Sequence, residues 1–275
     1  MARAELRGQV VALTGAAKGI GRATALELAG LGAKIAGCDL DDAALAETLA
    51  ECRLRGATTL GARVDVGDAR QLQDFAERVE RELGPTFCLI NNAGVGVAGS
   101  FFDTEPDDWD WLLRVNLGGV INGVRAFGPR LRERRAGRIV NVASASGFCN
   151  LPSLAAYGTT KYAVVGLSEA LRAELLPYGV MVSVVCPGLV QSSILEGARI
   201  RGVADAERER DSLKALYRRR GAAAELVGHA IVGAAQSGKA LVPATSDARL
   251  LYLVKRLAPS ALPWLLRAAE RLYQK

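Results

Sequence analysis

Val10-Val-Ala-Leu-Thr14-Gly15-Ala-Ala-Lys18-Gly19-Ile20-Gly21 decides the fold. Val10 to Leu13 is an apolar, β-prone run, and the glycines that follow interrupt it. From Gly21 the pattern turns Ala/Leu-rich, which predicts a helix to about Leu31. Glycine at 15, 19 and 21 permits a tight turn and lets the backbone approach a pyrophosphate closely. Residues around Ile20 then open a helix whose N-terminus offers free N–H groups and positive dipole to phosphate. A glycine turn also serves plain chain reversal; the strand before it and the helix behind it are what point to a nucleotide.

The same alternation continues to about Val185. Strands are predicted over 9–13, 32–39, 57–64, 87–90, 138–143, 180–186 and 240–243. Helices are predicted over 41–55, 68–83, 107–124, 155–176 and 222–237, with an irregular, charged stretch over 191–221. Alternating strands and helices make an α/β chain, a parallel sheet covered by helices on both faces. No long Pro/Ser/Gly linker and no repeat divides the 275 residues, so a single domain over 1–275 is expected.

Composition removes several classes. Half of the residues are apolar, enough for a sizeable core. The five cysteines (Cys38, Cys52, Cys88, Cys149, Cys186) form no C-x-x-C pair and sit mostly among apolar neighbours, which predicts buried free thiols in a reducing compartment. The one histidine, His229, has no partner motif, so neither a histidine-based triad nor a metal site is expected. No signal-peptide pattern and no apolar run of about 18 residues is present, and the expected location is cytoplasmic. The net charge of +6 is uneven: residues 191–275 hold 15 Lys/Arg and 8 Asp/Glu, and the remainder is close to neutral. A basic tail can meet anionic lipid or nucleic acid. Nucleic acid is not expected, because interleaved aromatics and a recognised motif are lacking.

Strand ends carry the candidate cofactor residues. Asp39, followed by Leu40, closes the second strand, where an acid accepts hydrogen bonds from adenosine ribose hydroxyls. It would repel a 2′-phosphate, which favours NAD over NADP. Lys18, inside the glycine turn, pulls the other way. Asp65 with Val66 closes the third strand and can accept from an adenine amino group, or can simply terminate a turn. Asn91-Asn92-Ala93-Gly94 closes the fourth, where small residues and amides let a cofactor pass.

The chemistry-bearing pair is Tyr157 and Lys161, four apart in a predicted helix and therefore on one face. A free tyrosine, with a pKa of about 10, is a poor base at neutral pH. A neighbouring ammonium favours the phenolate, and the pair can then exchange a proton with an alcohol or a ketone. Upstream, Ile139-Val-Asn-Val-Ala-Ser144 is a β-prone run that ends on a hydroxyl.

With these segments in this order, the chain closely resembles the short-chain dehydrogenase/reductase family from about Leu6 to Val242. Three residues between the first two glycines are similar to the family's compact oxidoreductase branch. The resemblance implies a doubly wound Rossmann fold with a seven-stranded parallel sheet. It implies a tetrad of Asn116, Ser144, Tyr157 and Lys161. Tyr157 would be the acid/base; Lys161 would lower its pKa and hold the nicotinamide ribose. Ser144 would orient the substrate oxygen, and Asn116 would help to hold a water that links Lys161 to solvent. Pro187, Gly188 and Val190 would border the nicotinamide. Ser192 stands where relatives often place a threonine near the pyrophosphate. Assembly as a homodimer or homotetramer is a further implication.

The reading is an NAD-preferring oxidoreductase for a lipophilic secondary alcohol or its ketone. Two rivals stay open: an NADPH-dependent carbonyl or 3-ketoacyl reductase, resting on Lys18, and a non-catalytic nucleotide-sensing module, which has no need of all four tetrad residues. Substrate contacts are expected from Val95, Val97, Phe101, Phe102, Phe148 and Leu151, with 190–221 as a flexible lid. Residues 250–275 extend past the usual family end. Over 264–275, Trp264, Leu265, Ala268, Leu272 and Tyr273 share one helix face, and Arg267, Glu270, Arg271 and Gln274 share the other. Such a helix packs on its own subunit, covers a neighbour's pocket, or lies on a membrane.

Overall fold

In a computed structural model, residues 3–273 are described. β1 (Val10–Thr14) is buried along its whole length. Val11 and Leu13 enter one core, and Val10 and Ala12 enter the other. That period-two division is what a strand covered on both faces requires, and it explains the unbroken apolar run.

The chain continues through α1 (Gly19–Gly30), β2 (Lys34–Asp39), α2 (Asp42–Leu54), β3 (Thr59–Arg63), α3 (Ala69–Glu82) and β4 (Thr86–Asn91). After the short β5 (Val97–Ala98) come α4 (Pro106–Leu112), a π turn (Leu113–Gly118) and α5 (Gly119–Arg134). Then follow β6 (Gly137–Val142), α6 (Ala155–Leu175), β7 (Val180–Cys186), β8 (Arg199–Ile200), α7 (Ala206–Arg220), α8 (Ala224–Ser237), β9 (Leu241–Pro243), α9 (Ser246–Leu257) and α10 (Leu262–Tyr273). Gln274, assigned above to a polar helix face, lies outside the described residues.

The main sheet has seven parallel strands in the order β3-β2-β1-β4-β6-β7-β9. Helices α1, α2 and α8 cover one face through Leu28, Leu45 and Ile231. Helices α3 and α5 cover the other through Phe75 and Phe127. The order of connection reverses between β1 and β4, and a crevice opens there beyond the carboxyl ends of the strands.

Three features differ from the sequence expectation. The helix predicted over 107–124 begins at Pro106 and, through the π turn, runs to Arg134. The added turns run through Gly128 and Pro129, poor residues for a helix interior, and Gly123 is buried in the helix, where it lets the backbone approach Asn91. The stretch predicted as irregular contains α7. It buries no residue fully, so apolar periodicity gave no signal; Asp205 caps it by accepting from the N–H of Glu207 and Arg208. A two-stranded sheet of β5 and β8 was also unforeseen.

A buried polar thread ties these layers. Asn91 Nδ2 donates to Asn141 Oδ1 (2.9 Å), and Asn141 Nδ2 donates to Ser168 Oγ (2.9 Å). A Cβ on Gly123 would stand 2.2 Å from Asn91 Oδ1. Alanine normally favours a helix interior over glycine by about 1 kcal/mol. Here the sign should invert: Gly123→Ala is expected to lower stability by about 1–3 kcal/mol in urea unfolding, from overpacking against a fixed amide. A stabilised variant would show that this contact does not exist.

Candidate active site

Thr14, at the end of β1, staples the crevice. Its Oγ1 accepts from the backbone N–H of Asn92 (3.0 Å) and Ala93 (3.1 Å). Asn92 Nδ2 in return donates to the carbonyls of Thr14 (3.1 Å) and Gly15 (3.0 Å). This crossing of two strand ends leaves no room for side chains. A Cβ on Gly15 would meet Ala93 Cα at 2.8 Å, and one on Gly21 would meet the Gly15 carbonyl oxygen at 1.8 Å. Gly15 and Gly19 also sit at φ of +65° and +51°, where glycine is favoured. The N-terminus of α1 carries no side-chain cap and no acid in its first turn. Bare backbone and an uncapped helix start fit a pyrophosphate.

The acids at the neighbouring strand ends are fixed by the chain itself. Asp39 accepts from the N–H of Ala17 through Oδ2 (3.0 Å) and from that of Asp41 through Oδ1 (3.1 Å). Lys18 pairs with Asp41 at 2.8 Å. Each raises or lowers the other in the sense that keeps both charged. Asp65 takes the Arg114 guanidinium at 2.7 Å and the Gly67 N–H at 2.8 Å.

At the opposite end stand the hydroxyls. Ser144 follows β6 and accepts from the Ser146 N–H at 3.1 Å. Tyr157 lines the same cleft as Ser144. Lys161, 4% exposed, donates to the Val142 carbonyl at 3.2 Å and lies 5.6 Å from the Tyr157 ring centroid. Asn116 sits in the π turn, a device common at functional sites. Its Oδ1 accepts from the Val95 N–H (2.8 Å), and its Nδ2 donates to the Val95 carbonyl (3.0 Å) and to Thr160 Oγ1 (3.2 Å). The side chain is thereby held beside Gly94, whose missing Cβ would lie 3.2 Å from Asn116 Oδ1 and 3.4 Å from Lys161 Nζ.

One cleft of about 670 Å³ joins the two ends. Lys18, Ile20, Gly21, Asp39, Leu40, Asp65, Val66, Asn92, Ala93, Gly94, Ser144, Tyr157, Lys161, Pro187, Gly188, Val190 and Ser192 all line it, as does Gly15. Gly19 and Asn116 stand behind the lining. A Cβ on Gly19 would come within 3.5 Å of Ser192 Cβ and 3.3 Å of Ser193 Oγ, so both serines close over the glycine turn.

Residues 9–201 match the short chain dehydrogenase family. The chain belongs to that family. It is 40% identical over 276 residues to a Mycobacterium tuberculosis protein named "Probable oxidoreductase EphD", covering 94% of this chain and 47% of that relative. The chain therefore spans about half the length of the first curated relatives it matches. It is 34% identical over 197 residues to Estradiol 17-beta-dehydrogenase 11 of Macaca fascicularis, with 70% and 66% of the two chains covered. A solved short-chain dehydrogenase/reductase from Burkholderia phymatum in complex with NAD superposes with a TM-score of 0.84, at 31% identity over 92% of this chain and 96% of that one.

The titration of Tyr157 runs against the simple expectation. Burial pushes its phenol up, and the neighbouring Ser144 hydroxyl pulls it down by less. Sequence spacing counted the ammonium but not the loss of water. Burial also brings Lys161 down to about 8.

The expected apolar contacts divide. Val95, Val97 and Leu151 line the cleft. Phe101 and Phe102 do not: they meet edge to face at the surface, 57% and 94% exposed. Phe148 is buried in the core against Tyr252. Trp111, Leu154, Tyr217, Leu250, Leu251 and Leu266 supply the walls instead. Two residues beyond β9 hold the loop after β7: Gly188 donates to Thr245 Oγ1 (2.9 Å) and Leu189 to Asp247 Oδ2 (2.9 Å).

The expected lid has an anchor. Buried Asp108 takes Arg199 (2.9 Å) and Arg201 (2.7 Å), and Arg199 also lies 4.3 Å over the Trp111 ring. The two guanidiniums hold the Asp108 carboxyl far below the usual range. Breaking a buried pair on one side is strongly destabilising, so this clamp fixes β8 beside β5 and with it Val97 and Ala198 in the cleft wall.

Lys161 yields a signed prediction. An unfolded chain keeps its proton to about 10.5 and the fold keeps it to about 8. The unfolded state therefore binds more protons between these values, and stability rises with pH across that window. The penalty of burying the ammonium is complete below about pH 8 and gone above about 10.5. Lys161→Met is expected to raise the melting temperature at pH 7, with a gain that shrinks as pH approaches 10. A gain that grows with pH would contradict the burial.

Proposed function

We propose that this chain is an NAD-preferring oxidoreductase that interconverts a lipophilic secondary alcohol and its ketone. One observation carries the reading: Ser144, Tyr157 and the Lys161 ammonium stand together in the cleft whose other end is the glycine turn. The relatives named oxidoreductase and estradiol dehydrogenase support it, and so does the neighbour in complex with NAD.

Bound NAD would supply the hydride acceptor, and NADH the donor, at the carbon bearing the oxygen. Gly15, Gly19, Gly21, Ile20 and the Ser192–Ser193 backbone would hold the pyrophosphate. Asp39 and Leu40 would meet the adenosine ribose, Asp65 and Val66 the adenine, and Asn92, Ala93 and Gly94 the span between. Lys161, Pro187, Gly188 and Val190 would hold the nicotinamide half. Ser144 would donate to the substrate oxygen and fix its position. Tyr157 would take the hydroxyl proton during oxidation and return it during reduction. Asn116, beside Lys161 across Gly94, would keep the path by which a proton leaves.

The raised phenol bears on the proton's two roles. Tyr157 holds its proton at neutral pH in the free protein, which suits donation to a ketone. Oxidation needs the ionised form, and a cationic nicotinamide nearby would favour it. The walls, Val95, Val97, Trp111, Leu154 and Leu251 among them, are apolar and suit a lipophilic substrate.

NAD preference rests on charge. Asp39 and Asp41 both stand at the ribose end, and Asp41 already takes Lys18, the one feature that favoured a 2′-phosphate. In titrations followed by nucleotide fluorescence, NADH is expected to bind at least about tenfold more tightly than NADPH; the reverse order would restore the NADPH-dependent reductase reading. Tyr157→Phe is expected to reduce turnover by at least about 100-fold while NADH binding persists. Turnover close to wild type in that variant discards the mechanism.

A further inference from the structure

Helix α9 is apolar on both sides. Ala248, Leu251, Tyr252 and Val254 pack toward the core around Val164 and Phe148, whose ring lies 5.3 Å from that of Tyr252. The opposite side presents Leu250, Leu253 and Leu257, spaced three and four apart on one face, and these are 63%, 54% and 82% exposed. An apolar stripe on a helix is normally covered. Helix α10 repeats the pattern: Leu262 is buried and Leu266 partly so, while Trp264 is 76% and Leu265 50% exposed. Grouped large apolar side chains of this kind mark a docking surface, unlike single exposed leucines.

Charge says what docks. From residue 246 to 275 the sequence holds six Lys/Arg and two Asp/Glu. Arg249 and Arg256 are exposed beside the leucines of α9, Lys255 turns inward over the Tyr162 ring, and Arg267 follows Trp264 and Leu265 on α10. One of the two acids, Asp247, is spent on the Leu189 N–H. Two copies of this surface brought face to face would oppose like charges, which disfavours a second copy of the chain as its cover. Leucines flanked by arginines, with a tryptophan at the edge, match an anionic bilayer: acyl chains take the leucines, the headgroup level suits tryptophan, and phosphates meet the cations. No helix among the described residues is long and apolar enough to cross a membrane, so the fit is to a surface.

The position of the cleft adds an independent observation. Leu250 and Leu251 of α9 and Leu266 of α10 also line it. The exposed leucines therefore continue into the wall that leads to Ser144 and Tyr157.

We propose that α9 and α10 dock on an anionic lipid surface with the mouth of the cleft toward the lipid, so that an apolar substrate passes from bilayer to cleft without crossing water. Docking stands on the exposed helices; the delivery of substrate rests on the function proposed above.

The test uses the full chain and sedimentation with phosphatidylcholine vesicles, with and without phosphatidylglycerol. Wild type is expected to pellet with the phosphatidylglycerol vesicles and to be released by salt. Leu253→Ser with Leu257→Ser, and separately Arg249→Glu with Arg256→Glu, should each weaken vesicle binding at least about tenfold. Both variants should keep wild-type NADH affinity and wild-type size in light scattering. Equal or absent binding to the two vesicle types overturns the proposal, as do variants that bind like wild type. A smaller assembly in the leucine variant without lipid also overturns it, because a second copy would then be the cover. Loss of NADH binding with vesicle binding intact would reject the oxidoreductase reading and leave the docking supported.

Discussion

Lys161 keeps an ammonium 4% exposed in the floor of a cleft, and much of the surrounding structure serves that one placement. A buried charge is expensive unless it is paired or hydrogen-bonded. The bond it makes in the free protein is to the Val142 carbonyl, at the end of β6. The chain makes room around it by omitting side chains. Gly94 leaves its backbone bare beside Nζ, and a Cβ on Gly147 would stand 2.8 Å from the Lys161 carbonyl oxygen. The π turn in the long helix sets Asn116 on the other side of Gly94. A strongly perturbed cation in a cleft is the signature of a group kept for use, and the function proposed here gives it one: to hold a ribose and stand beside the phenol that moves the proton.

The sheet makes this meeting of groups unavoidable. Strands β1 and β4 diverge into opposite halves of the winding, and their ends are stapled by Thr14 and Asn92. Everything that reads a ligand lies just beyond such ends: the glycine turn after β1, Asp39 at the end of β2, Asn92 to Gly94 after β4, Ser144 after β6, and Pro187 and Gly188 after β7. The helix of Tyr157 and Lys161 then packs against β7 and the turn after Ser144. Two separate clamps hold what the sheet does not reach. Asp108 gathers Arg199 and Arg201, and Asp247 and Thr245 hold the loop after β7.

The sheet and the polar residues at its strand ends were legible because buried parallel strands write continuous apolar runs, and small or polar residues interrupt them where ligands approach. The walls were less legible. Val95, Val97 and Leu151 fall where expected, but Phe101 and Phe102 point away, since aromatic character in a loop carries no direction. Helix α7 escaped because it lacks an apolar face, although Asp205 and the arginines at 218–220 mark its two ends. The long helix outran its expected end at 124 by running through Gly128 and Pro129, residues that ordinarily disfavour a helix interior. The clamps join residues more than 50 positions apart, which no local pattern encodes. The phenol of Tyr157 moved opposite to expectation because spacing reveals a neighbouring charge and conceals desolvation.

The most direct test of the central claim follows an atom. The chain is incubated with NADH carrying deuterium at the transferable position of the nicotinamide and with a panel of lipophilic ketones, and the alcohols are examined by mass spectrometry and NMR. The account predicts deuterium on the carbinol carbon of at least one product. Saturable NADH binding with no labelled alcohol from any ketone, and no oxidation of the matching alcohols by NAD, would contradict it.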